Sequence, residues 1–159
     1  MKTGTVSEVS IRVARTSDRE SLVRMRASLW PNTSAEKHDR EVIALLSGTA
    51  ALTTPLVIFV AATNEGLAVG FLEVDLRSHA DGCNPAQPVG YIEGWFVAEN
   101  YRQQGIGKKL VEAAEEWARG HGCVEIGSDA LIENETSQRA HKALGYEVVD
   151  RCVNFRKTL

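Results

Sequence analysis

The sequence predicts an α/β (α+β) domain with the element order β-α-α-β-β-β-α-β-α-β-β. Three observations carry this reading. Apolar runs of strand length alternate with amphipathic stretches at helical spacing. Glycine, proline and asparagine clusters separate them. The basic, glycine-bearing stretch Arg102-Gln103-Gln104-Gly105-Ile106-Gly107 joins the apolar run 89–97 to a helical pattern.

The elements follow in order. Residues 9–15 alternate apolar and polar side chains, as a half-buried strand does. Ser17-Asp-Arg-Glu20 reads as a capping box, so a helix starts there and stops at Trp30-Pro31. A second helix is expected over 35–46, with Val42, Ile43 and Leu46 as its apolar face and Gly48 as its end. Residues 55–63 form a β-rich run, Asn64-Glu-Gly66 a hairpin turn, and 67–76 the return strand. Residues 78–88 form a loop long enough to carry function. Residues 89–97 are read as the central strand and 105–120 as a helix with Ile106, Leu110, Ala113, Ala114 and Trp117 on one face. A strand at 123–128, a short helix between Asn134 and Gly145, and strands at 146–150 and 152–157 close the order.

The 159 residues suit one domain spanning 1–159, with residues 1–8 expected to be a flexible N-terminus. The net charge of −3 provides no general basic field for nucleic acid. Residues 1–8 lack the apolar core of a signal peptide. No apolar run approaches the roughly 20 residues that span a bilayer. A cytoplasmic protein that engages neither membrane nor nucleic acid is therefore expected. Cys83, Cys123 and Cys152 are widely spaced and form no metal-ligand pattern, so they read as reduced thiols and no metal is expected.

The loop 102–107 has the makings of a diphosphate cradle. Glycines let backbone N–H groups approach a ligand, and the helix N-terminus adds free donors and partial positive charge. A plain strand–helix turn is the other reading of this hexapeptide taken alone. The element order and the motif Arg102-x-x-Gly105-x-Gly107 together resemble the GCN5-related N-acetyltransferase family over about residues 10–157. That resemblance implies a mixed, mostly antiparallel central sheet flanked by helices, and acetyl-CoA as cosubstrate.

A narrower resemblance is carried by several segments in order. They are Leu29-Trp30-Pro31, Asp81-Gly82-Cys83, Glu93-Gly94-Trp95-Phe96-Val97, Ser128-Asp129, Glu133-Asn134-Glu135-Thr136-Ser137-Gln138, His141 to Tyr146 and Phe155-Arg156-Lys157. Together they look like aminoglycoside 6′-N-acetyltransferases. The resemblance implies acetyl transfer to a primary amine of a polycationic antibiotic, by direct attack in a ternary complex, and a homodimer paired through C-terminal strands. Another acceptor amine, on a polyamine, an amino sugar or a protein, stays open, as does a non-catalytic acyl-CoA-binding module.

Individual residues carry the chemistry. Glu93 lies inside an apolar run, where a carboxylate is costly without a partner or a wet cleft. Gly94 beside it suggests a bulge. The resemblance puts Glu93 and Asp129 at the transfer centre and Trp30 along the substrate groove. Because such a substrate is a polycation, Glu73, Asp75, Asp81 and Glu133 are further candidate carboxylates for a cation-binding groove. His141 stands where many relatives carry a tyrosine near the CoA sulfur, and a general acid is implied. For CoA, the resemblance implies Phe96, Val97, Arg102, Gln103, Gln104, Gly105, Ile106, Gly107, Lys108, Asn134 and Ser137. Plainer readings stand beside these: an edge-facing Glu, a turn-starting Asp, a core Trp, a helix-surface His, helix caps and a solvated lysine.

Overall fold

A computed structural model describes residues 8–159. The expectation for the first residues therefore lies, but for Glu8, outside the described chain. The elements are β1 (Val9–Val13), α1 (Arg19–Leu29), α2 (Ala35–Ser47), β2 (Leu56–Thr63), β3 (Ala68–Arg77), β4 (Val89–Val97), α3 (Ile106–Gly120), β5 (Ile126–Ser128) and α4 (Glu135–Ala143). They form one sheet in the order β1-β2-β3-β4-β5. The first four strands pair antiparallel, and β5 runs parallel to β4. The predicted class holds. β4 is not the middle strand, however, but the second from the edge.

One face of the sheet packs on α3 and the other on α1 and α2. Leu72, Val74 and Ile92 meet Ile106, Leu110, Val111 and Ala114 on the first face. Ile58, Val60 and Phe71 meet Leu22, Met25 and Val42 on the second. Period-2 alternation of the strands sends neighbouring residues to opposite cores.

Four local expectations are corrected. The expected capping box of Ser17 and Glu20 is not formed: Asp18 stands at the N-cap of α1, and its buried side chain closes the turn before the helix rather than capping it. Its carboxylate accepts the Arg15 N–H at 2.7 Å and both terminal nitrogens of Arg12 at 2.7 and 2.9 Å. On α2, Ile43 is exposed, and His38 is buried in the face beside Val42. β5 begins only at Ile126, three residues later than predicted. Residues 146–150 and 152–157 are not strands: they pair with none of the five strands, and Val153 and Phe155 lie exposed. An extended pattern becomes a strand only where it docks on a neighbour, and these side chains bury too little to hold it on the open edge of β5.

Candidate functional site

The site begins with a backbone irregularity. In the β3–β4 ladder Glu73 faces Gly94 and Val74 faces Ile92, so Glu93 is the extra residue of a β-bulge. The bulge takes Glu93 out of regular alternation and lets it share a cleft with Asp75 and Tyr91. β5 pairs only with Gly90–Ile92, so the β5 side of β4 beyond Ile92 has no strand beside it. The two parallel strands thus splay apart where Glu93 stands.

A cleft of about 1000 Å³ opens there, walled by Trp30, Glu73, Asp75, Arg77, Glu93 and Asp129 among others. Its centre is a chain of polar contacts. Arg77 donates to Glu93 Oε1 from Nε at 3.0 Å and from Nη2 at 2.5 Å. The same guanidinium lies 3.5 Å from the centroid of the Tyr91 ring. The Tyr91 hydroxyl donates to Asp129 Oδ1 at 3.0 Å. Burial, with the Asp129 carboxylate as acceptor, pushes the Tyr91 phenol up to about 12, so the hydroxyl keeps its proton. Burial and the neighbouring Glu93 carboxylate raise the Asp75 carboxyl to about 6.

Trp30 closes α1 and forms one wall. Arg26 lies over its ring at 4.8 Å, Phe71 meets it edge-on, and His38 stacks on it. The His38 Nε2–H donates to the Trp30 carbonyl at 3.1 Å. Trp30 is thus both a core aromatic and a cleft wall. Behind it, Glu73 is 4 % exposed and ion-paired with Arg26, which also reaches Glu41 at 2.6 Å. Burial raises the Glu73 carboxyl against the pull of Arg26. This buried pair holds α1 to β3, and Glu73 has its partner within the protein.

The structure brings Trp30, Asp81, Glu93 and Asp129 to one cleft; Glu133 does not line it. The Glu133 carbonyl instead accepts the Glu135 N–H in the turn before α4. Asp81, in the loop 78–88, is exposed and lies 3.4 Å from His79.

His141 is not on the helix surface. It sits edge-on between Trp95 and Tyr146, with ring centroids at 5.3 and 5.5 Å. Its Nδ1 lies 2.8 Å from the Ser137 carbonyl, which only accepts, so Nδ1 carries a hydrogen. Nε2 then faces the Ser128 hydroxyl at 2.9 Å. Ser128 closes β5, directly opposite Ile92.

The glycine loop stands at the other end of the splay. Gln103 and Gly105 take left-handed backbone at φ 60° and 76°, which turns the chain sharply into α3. No side chain caps α3, and its first turn holds no acidic residue, so its leading N–H groups are not covered from within. A Cβ on Gly107 would touch Trp95 at 3.0 Å. Arg102 Nε donates to the Val97 carbonyl at 2.8 Å, tying the loop to the end of β4. Lys108 lies 3.7 Å from Glu112, one turn on. Asn134 caps α4 by accepting the Ser137 N–H at 3.0 Å.

Arg26, Arg77, Tyr91 and Ser128 were not singled out from sequence as parts of the site. A signal existed for Arg77: it recurs with the candidates Glu73 and Asp75 at i, i+2, i+4 along one strand, which places it on their face.

Comparison with known proteins places the chain in a family. Residues 20–146 match the acetyltransferase (GNAT) family. The chain is 40% identical over 149 residues to an aminoglycoside N(6′)-acetyltransferase type 1 of Klebsiella aerogenes, covering 94% of this chain and 96% of that one. Among solved structures, AAC(6′)-Iy in complex with the bisubstrate analog CoA-S-monomethyl-acetylneamine superposes with a TM-score of 0.83. It is 32% identical, over 96% of this chain and 100% of that one. The 6′-N-acetyltransferase AAC(6′)-Ih from Acinetobacter baumannii gives a TM-score of 0.83 at 31% identity, over 96% and 99%.

Proposed function

The chain belongs to the acetyltransferase (GNAT) family, and from that premise we propose that it moves the acetyl group of acetyl-CoA to the 6′-amine of an aminoglycoside. The observation that carries the substrate class is the cleft itself. Asp75, Glu93 and Asp129 converge beside Trp30 at the splay of β4 and β5. A polycation is the ligand that several carboxylates beside an aromatic face favour.

The two halves of the site divide the work. Arg102 to Lys108 and the leading N–H groups of α3 hold the pyrophosphate of CoA, where a helix N-terminus stabilises negative charge. Phe96 and Val97 end β4, whose side away from β3 has no strand beside it there; Ala98 N–H bonds back to Val69, so by alternation the Val97 N–H faces that open side and can polarise the thioester carbonyl. Asn134 and Ser137 border the cofactor arm from α4, beyond their capping contact. Trp30, Asp81, Glu93 and Asp129 orient the sugar amines.

The reaction needs a neutral amine. An alkyl ammonium has a pKa near ~10, so it arrives charged. Glu93 anchors it, and Glu93 or Asp129 accepts its proton, directly or through water. The amine then attacks the thioester carbon, the tetrahedral adduct gives its second nitrogen proton to water in the cleft as the C–S bond breaks, and no covalent acetyl-enzyme is needed. The departing thiolate is protonated from the His141–Ser128 pair. With Nδ1 committed to a carbonyl, an imidazolium passes its proton through Nε2 and the Ser128 hydroxyl.

Two copies are further proposed to pair through residues 147–159. This stretch exposes Val148, Val149, Val153 and Phe155 and finds no ladder among the described residues. The reading as a whole, in a cytoplasmic setting, is tested by incubating the protein with acetyl-CoA and kanamycin, tobramycin, spermidine or glucosamine. Mass spectrometry of the products is expected to show singly acetylated aminoglycoside. Turnover of spermidine alone would move the substrate class elsewhere.

A further inference from the structure

We propose that Arg77 is a resident cation that occupies the substrate-ammonium position, so that the substrate binds by displacing it. This rests on the aminoglycoside reading above and deepens it. The geometry is that of a bound ligand. The guanidinium has carboxylate Glu93 at one edge, the Tyr91 π-face beneath it at 3.5 Å, and Asp75 at 4.0 Å. Those are the partners a cleft would offer a substrate ammonium.

Arg77 also has the freedom to leave. Its side chain is 39% exposed, at the end of β3, and its hydrogen-bond partner Glu93 is itself 29% exposed. Arg26, in contrast, is 7% exposed and pairs with Glu73 and Glu41. One arginine of the cleft is built in, and the other rests on its surface.

The consequence is an exchange of one cation for another. Before substrate arrives, Arg77 screens the mutual repulsion of Asp75 and Glu93. A single ammonium replacing it gains little, because one ion pair is lost for each one formed. A polycation gains more, since its further ammonium groups reach Asp129 and Asp75 as well. Arg77 thereby sets a threshold of charge for entry.

The test compares the parent with Arg77→Met, which keeps bulk and loses charge, and Arg77→Lys, which keeps the charge. Dissociation constants for kanamycin and for glucosamine are read by NMR titration with CoA present, alongside KM for acetyl-CoA. Arg77→Met is expected to tighten both amines by a common factor of about ten. Arg77→Lys is expected to stay near the parent, and KM for acetyl-CoA is expected to be unchanged throughout. The Arg77 Nε–H signal of the parent is expected to shift as kanamycin saturates.

A fall confined to kanamycin would mean a general field effect and overturn the proposal, because field effects scale with ligand charge. Unchanged or weakened binding in Arg77→Met would overturn it too, as would a kcat loss at constant affinity. Failure of the underlying reading looks different: the parent would acetylate no aminoglycoside. The Nε–H signal, titrated then with spermidine and methylammonium, still decides, and a signal unmoved by every cation refutes displacement.

Discussion

Gly94 lies directly beneath Trp30: a Cβ built on it would stand 2.6 Å from Cη2 and 2.7 Å from Cζ2 of the indole. The Trp30 ring cannot easily retreat, because Phe71 and His38 pack against it. Gly94→Ala is therefore expected to push the ring into the cleft. The expected cost is about 1–3 kcal/mol of stability, with a raised KM for aminoglycoside and an unchanged KM for acetyl-CoA. Thermal melts and initial rates check both.

The Asp75 carboxyl gives a pH dependence with a definite sign. It faces Glu93 from β4 and Arg77 on its own strand, with Glu73 and Arg26 behind. Its raised value of about 6 means that it is largely protonated below that pH. A bound ammonium favours the carboxylate, so KM for kanamycin is expected to fall as pH rises from about 5 to 7. Asp75→Asn is expected to flatten that fall.

The same shift acts on stability. The folded chain binds more protons here than the unfolded chain between about 4 and 6. Stability is therefore expected to decline as pH rises through that window. Asp75→Asn is expected to be more stable than the parent above pH 6, by about 1–3 kcal/mol. Urea unfolding across pH measures it.

The Arg26–Glu73 pair predicts an asymmetry. Arg26→Met leaves a buried carboxylate without its partner and is expected to cost about 3–5 kcal/mol. The double variant Arg26→Met with Glu73→Met is expected to recover most of that loss. A double-mutant cycle by denaturant unfolding separates the coupling from the single costs.

His141 and Ser128 are expected to act as a unit. Each of His141→Gln and Ser128→Ala should lower kcat by about 10²-fold, the lower end for a lost general acid. The double variant should lose no more than the worse single one. Independent losses that multiply would show that the two do not share one proton path.

The tail predicts an oligomeric state. Sedimentation equilibrium at micromolar concentration is expected to give a dimer. Truncation after Arg151 is expected to give a monomer.

The sequence by itself determined the class of the fold and the glycine loop ahead of α3. Local rules suffice there: the alternation of β4, the Asn64-Glu-Gly66 turn, and Arg102 to Gly107 ahead of an amphipathic helix are readable within a few residues. It also marked Glu93 as out of place and Gly94 as a bulge signal. Tertiary structure alone decided which groups meet. Arg77 reaches Glu93 across the β3–β4 ladder, Tyr91 reaches Asp129 across the splay, and His141 reaches Ser128 from α4. It also removed Glu133 from the cleft, buried His38 in place of Ile43, and left the last two predicted strands undocked from the sheet. Periodicity states which face a residue takes, whereas a contact between residues distant in sequence depends on strand register and helix placement, which no local pattern contains.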